Sequence, residues 1–169
     1  VKKKNQIIFV GRGTIPKGLD IILKSARNIK SKILIVSQKV DGKFMEQIKS
    51  LPNVRLKTNA TPPEISHLYN ESKLFILPSI NEEQPLSTIE AMACGVPVVV
   101  TQEAASDIAV NKINGYVIPE RDSTALSKTV NKLLASPKII SLMSKNNRKR
   151  ILDFYDKKTN FKMIANIIT

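Results

Sequence analysis

Six short apolar runs punctuate the chain at roughly residues 6 to 10, 32 to 37, 53 to 57, 73 to 77, 97 to 101 and 115 to 118, and helical periodicity fills most of the intervals. Runs such as Ile33 to Val36 and Val98 to Val100 are continuous rather than alternating, the pattern of parallel strands buried on both faces. Strand and helix in alternation predict an α/β fold with a doubly wound, Rossmann-like parallel sheet. Local signals agree: Asn114 and Gly115 mark the turn into the last strand, Asp122 or Ser123 caps a helix through Leu134, and Pro137 opens a C-terminal helical region. At 169 residues the chain fits one domain with a substantial core, and no repeat, low-complexity stretch or linker divides it.

The richest stretch runs from Pro78 to Gly95, PSINEEQPLSTIEAMACG. Leu74 to Leu77 before it reads as a buried strand, and Pro85 suits the first turn of a helix with its body at Leu86 to Cys94. Glu82 then falls in the loop and Glu90 inside the helix. A helix entry after a strand in such a sheet presents free N–H groups and a positive dipole end to the crevice above it, which favours a phosphate. Carboxylates only accept hydrogen bonds, so a pair flanking an anion site selects hydroxyls, which sugars supply. Phosphate and sugar together indicate a nucleotide sugar.

A second segment lies near the N-terminus, where Ile7 to Val10 is followed by Gly11, Arg12, Gly13, Thr14, Ile15, Pro16, Lys17 and Gly18. A P-loop would need glycine at Pro16 and Ser or Thr at Gly18. A dinucleotide fingerprint would need a third glycine at Pro16 and an acid ending the next strand, which instead closes Val36, Ser37, Gln38. Both motifs are therefore excluded.

The Pro78 to Gly95 stretch resembles the Glu-x7-Glu motif of the family 4 (group 1) retaining glycosyltransferases, matching at Pro78, Ser79, Glu82, Leu86, Glu90, Ala91, Met92, Ala93, Cys94, Gly95, Pro97, Val98 and Val99. Residues 11 to 18 are similar to that family's GRxxxxKG loop. The resemblance covers nearly all of residues 5 to 135. It implies that Glu82 contacts the donor sugar and Glu90 the ribose, that the intervening stretch of Glu83, Gln84, Pro85, Leu86 and Ser87 holds sugar and diphosphate, and that Arg12 and Lys17, beside Gly11 and Gly13, grip the diphosphate. Fixed cations there stabilise the charge that grows on a leaving nucleoside diphosphate without a metal. Where the family usually has Gly-Phe-Gly this chain has Glu83, Gln84 and Pro85, and Pro85 has no N–H to donate. The base is expected near Thr58, Asn59 and Ala60; the Gly-x-Gly frequent after the second strand is replaced by Ser37, Gln38 and Lys39.

By the same resemblance the chain is one half of a GT-B architecture, the C-terminal donor-binding domain, partnered in cis or in trans by an N-terminal acceptor-binding domain. Val1 is not an initiator Met, and Lys2 to Asn5 read as an interdomain connection. The implied activity is retaining hexosyl transfer from a UDP-sugar or GDP-sugar to a glycan or lipid-linked acceptor, as in polysaccharide biosynthesis, without a cofactor. A non-catalytic nucleotide-sugar-binding subunit and a fragment of a GT-B sugar epimerase are the alternatives.

Charge refines this picture. The net +13 is uneven: residues 1 to 57 carry 14 basic and 3 acidic side chains, 58 to 137 carry 5 and 9, and 138 to 169 carry 8 and 2. With eight aromatic residues, mostly in core-like runs, nucleic-acid binding is not expected. The cluster Lys145, Arg148, Lys149 and Arg150 beside Ile151, Leu152, Phe154 and Tyr155 instead points to an anionic membrane surface. Lone Cys94 reads as a small buried residue and lone His67 as structural or exposed, with no metal-ligand spacing around it. No signal peptide and no apolar run near 18 residues is present, which predicts a cytoplasmic protein, peripheral to the membrane's inner face if the basic cluster docks there.

Overall fold

The computed structural model describes residues 3–82, 85–105 and 109–155, excluding the side chains of Phe154 and Tyr155. Six strands, β1 (Gln6–Val10), β2 (Lys32–Val36), β3 (Val54–Lys57), β4 (Leu74–Leu77), β5 (Val98–Thr101) and β6 (Gly115–Ile118), form one sheet in the order β3-β2-β1-β4-β5-β6. Every pairing is parallel. All four residues of β4 and all four of β5 are buried; because successive side chains point to opposite faces, both faces of the sheet are covered there.

The covering helices are α1 (Leu19–Ser25), α2 (Met45–Ser50), α3 (Pro62–Glu71), α4 (Leu86–Ala93), α5 (Gln102–Ala105), α6 (Ser123–Leu134) and α7 (Pro137–Tyr155). Helix α1 packs on α6, and α4 on α7. Strand positions follow the apolar runs to within a residue. Asp122 is the N-cap of α6, its carboxylate accepting the Ala125 N–H at 2.8 Å. Pro85 differs from expectation: it stands at the N-cap of α4 rather than inside the first turn, and the helix closes at Ala93, one residue early. The Gly95 N–H to the Met92 carbonyl (2.8 Å) and the Val96 N–H to the Ala91 carbonyl (2.9 Å) close it in a Schellman pattern.

The strand order runs outward in both directions from β1 and β4, so the chain leaves these neighbouring strands toward opposite edges. Loops above such a switch point diverge and leave a crevice at the carboxyl ends of the strands. Here the two loops nonetheless touch. Gly18 has φ +75, and a Cβ placed on it would lie 2.1 Å from the Pro78 carbonyl oxygen. Any side chain at Gly18 would therefore push the β1–α1 loop off β4. Replacing Gly18 with Ala is expected to lower unfolding free energy by about 2 to 3 kcal/mol, read as a shift of the urea midpoint. A variant as stable as the parent would show that the loop contact is not a constraint.

Candidate functional site

The β1–α1 loop is fastened from two sides. On the β2 side, the Gly13 N–H donates to the Lys39 carbonyl (2.8 Å) and to Ser37 Oγ (3.0 Å), while Ser37 Oγ donates to the Lys39 carbonyl (2.7 Å). A Cβ on Gly13 would meet Val40 at 2.7 Å, so the tight seam needs glycine. The Gly11 N–H bonds the Val36 carbonyl at 3.1 Å. Both glycine amides are thus committed within the chain, and in this state the glycines act through packing. On the β4 side, the Pro16 carbonyl accepts from the Ile80 N–H (2.9 Å) and from Ser79 Oγ (2.7 Å). Buried Thr101 Oγ1 in turn donates to the Ser79 carbonyl, tying the β4–α4 loop to β5.

This docking brings Lys17 and Glu82 together. Lys17 Nζ lies 2.7 Å from Glu82 Oε1, with the two side chains only 19% and 6% exposed. Residues 65 positions apart, chosen from two separate motifs, therefore form one ion pair. Arg12 is exposed and, among the described residues, has no ion-pair partner. It borders a crevice of about 250 Å³ that is also lined by Gly11, Ser37 and Gln38, by Ala60 after β3, and by Ile65 of α3. Thr58 and Asn59, the latter in the left-handed region at φ 54, are exposed beside it. Ile65 is shared with a second cavity of about 330 Å³ between α3 and α4, bordered by Ser66, Tyr69, Glu90 and Cys94.

Helix α4 opens with uncapped backbone amides. The Thr88 and Ile89 N–H groups both return to the Pro85 carbonyl, at 2.9 and 3.1 Å, and no side chain caps the helix. Among the described residues the N–H groups of Leu86 and Ser87 remain without a partner. Glu90, one turn further on, is exposed and accepts a hydrogen bond at Oε2 from the Tyr69 hydroxyl at 3.1 Å. Glu83 and Gln84 lie outside the described residues.

Of the sequence-predicted set, Gly11, Arg12 and Ala60 share one crevice, Lys17 meets Glu82, and Leu86 and Ser87 open the helix that carries Glu90. Sequence reading passed over Tyr69 and Ile65, and it noted Ser37 without assigning it a role. Ser37 carried a signal in its position at the end of β2, where a glycine pattern was missing; Tyr69 carried none beyond its place in an amphipathic helix. His67 is an exposed partner of Glu71 at 3.3 Å. Cys94 is half-buried rather than fully buried, and burial pushes its thiol pKa up. Among the described residues no group of three or more His, Cys, Asp or Glu could hold a metal ion.

A Rossmann-like parallel sheet carrying a cationic loop and an acid-bearing helix across its switch point is an α/β domain of the GT-B glycosyltransferase type. The chain belongs to the glycosyl transferases group 1 family, whose model matches residues 1–150. It is similar to the capsular polysaccharide biosynthesis glycosyltransferase CapM of Staphylococcus aureus, 29% identical over 154 residues, covering 85% of this chain and 40% of that protein. Among solved structures it resembles Anabaena Alr3699/HepE in complex with UDP and glucose, with a TM-score of 0.87 at 19% identity, covering 98% of this chain and 48% of that one. It also resembles the C-terminal domain of the group 1 glycosyl transferase LpcC from Francisella tularensis, with a TM-score of 0.81 at 19% identity, covering 93% and 89%. The chain spans about two-fifths of the length of the curated relatives it matches.

Proposed function

We propose that this chain is the donor-binding half of a retaining, metal-independent hexosyltransferase that uses a UDP-sugar or GDP-sugar. The observation that carries the reading is the meeting of the two motifs at the switch point, with Lys17 and Glu82 2.7 Å apart and Arg12 beside the crevice. In this reading the base enters the crevice by Ala60, Glu90 takes the ribose hydroxyls, Arg12, Lys17 and the Leu86 and Ser87 amides take the diphosphate, and Glu82 takes a sugar hydroxyl. Cations and amides already in place stabilise the charge on the departing diphosphate without reorganising when the bond breaks. The likeness to a C-terminal domain solved alone and to a neighbour that binds UDP supports the donor-half assignment.

Replacing Arg12 with Ala should weaken nucleotide-sugar binding about 10-fold to 150-fold, the value of one hydrogen bond to a charged group, with folding almost unchanged; calorimetric titration reads it. Glu90→Gln should lower affinity for nucleoside diphosphate and nucleotide sugar alike, and Glu82→Gln should reduce chiefly the advantage that the sugar confers. Equal effects of both changes on the free diphosphate would contradict these roles.

Transfer needs the acceptor hydroxyl held about 3 to 3.5 Å from the anomeric carbon, and the acceptor domain that we propose does this faces the crevice from another part of the enzyme. Residues 1 to 169 alone are therefore expected to bind donor without transferring sugar. Efficient transfer by this chain alone to a defined acceptor would overturn the half-enzyme reading.

We further place the enzyme at the cytoplasmic face of a membrane. Leu142 and Leu152 on α7 are 61% and 64% exposed, and Lys145 and Lys149 stand between them at spacings that share one helical face. No described helix is long and apolar enough to cross a membrane. Each basic residue near an anionic surface contributes about 1 kcal/mol, so this face should hold vesicles containing anionic lipid weakly and in a salt-sensitive manner. Co-sedimentation that survives neutralising Lys145, Arg148, Lys149 and Arg150, or that never occurs at low salt, would rule it out.

A further inference from the structure

We infer that Tyr69 is a positioning residue for nucleotide binding, holding Glu90 and the first turn of α4 in the arrangement that receives the ribose. The inference rests on the ribose role proposed for Glu90 and adds the group that makes that role possible. Tyr69 sits on the inner face of α3, 1% exposed, its ring tilted 60° to Phe75 with centroids 6.0 Å apart. Its hydroxyl lies 3.1 Å from Glu90 Oε2 and 3.2 Å from the Ser87 carbonyl oxygen. One hydroxyl proton is thus shared between Glu90, the proposed ribose acceptor, and the first turn of α4.

The asymmetry of burial gives this contact its direction. Glu90 is exposed on a helix surface, where a carboxylate on three rotatable bonds samples many rotamers, and each one lost on binding weakens the complex. Tyr69 is locked in the core and has no comparable freedom. A fixed donor on a mobile acceptor removes that entropy before the ligand arrives. Burial and the adjacent Glu90 carboxylate both push the Tyr69 pKa up, so the phenol stays protonated and remains a donor wherever the protein is folded. Tyr69 and Glu90 both line the α3–α4 cavity of about 330 Å³, and Ile65 forms part of the wall of this cavity and of the crevice by Ala60, so the contact lies one side chain away from that crevice.

Tyr69→Phe keeps the ring and deletes only the donor. The test is a double-mutant cycle of Tyr69→Phe and Glu90→Gln, with UDP and 2′,3′-dideoxy-UDP as probes and thermal unfolding run alongside. Tyr69→Phe should weaken UDP binding about 2-fold to 150-fold, the range for coupled neighbours in one hydrogen-bond network. The loss should shrink toward none in the Glu90→Gln background and with the dideoxy probe, which offers no ribose hydroxyl. A loss of equal size in either of those settings assigns Tyr69 to packing alone and overturns the inference, as does unchanged UDP affinity. If Glu90→Gln leaves the preference for UDP over the dideoxy probe unaltered, the ribose role of Glu90 itself fails, and the inference falls with it for that separate reason.

Discussion

The site depends on one close approach, that of the β1–α1 loop to the end of β4. Two parallel strands at a switch point send their chains apart, and nothing in the sheet itself obliges the loops above them to meet. Contact is made where Gly18, without a Cβ, lies against the Pro78 carbonyl, and where the Pro16 carbonyl takes the Ile80 N–H and the Ser79 hydroxyl. Pro16 has no N–H of its own to satisfy and takes part through its carbonyl alone, with the β4–α4 loop supplying the donors. Lys17 is held between Pro16 and Gly18 at this seam. Its pairing with Glu82 follows from the backbone geometry, and its 19% exposure from the walls around it.

An ion pair with so little exposure has consequences for the donor. Both partners are largely withdrawn from water, and separating them without a substitute would leave each charge poorly solvated. A diphosphate that approaches Lys17 offers a new anion, and a sugar hydroxyl that approaches Glu82 offers a new donor. A complete nucleotide sugar supplies both at once, whereas a free diphosphate supplies only one. If Lys17 and Glu82 take the roles proposed for them, the pair links recognition of the two ends of the donor in a way that two independent side chains would not.

Much of the fold was legible because its signals are local. Buried parallel strands write themselves as uninterrupted apolar runs such as Leu74 to Leu77, and caps such as Asp122 act within a few residues. The two chemical motifs were legible for the same reason, since each is contiguous. What sequence did not show was contact between distant segments. Lys17 and Glu82 were assigned to separate parts of the donor, and nothing in their spacing says that they touch. Ser37 stood out only as a missing glycine, yet its hydroxyl pins Gly13 to the turn after β2. Tyr69 was hidden by its own suitability for the core: an aromatic on a helix's buried face reads as packing, and only the position of its hydroxyl against Glu90 distinguishes it.

Pro85 shows how one residue reshapes the entry of a helix. At the N-cap it fixes its own φ at −80 and removes an N–H from the entry, while its carbonyl accepts from both Thr88 and Ile89. The third amide of the helix is thereby consumed in a tightened first turn, and the amides left to an incoming anion are those of Leu86 and Ser87. Two amides from consecutive residues point in closely related directions and suit a single phosphate group better than a spread of acceptors. In the proposed donor reading, the missing Pro85 N–H leaves the backbone less to contribute at the sugar end, and side chains would do more of the recognition there. Glu82 is in place for this, aligned by Lys17 and withdrawn from solvent to 6% exposure. Hydrogen bonds to a charged acceptor in such surroundings are stronger and more directional than those to an exposed one, so in the proposed donor reading selectivity for a particular hydroxyl would be concentrated on this one carboxylate.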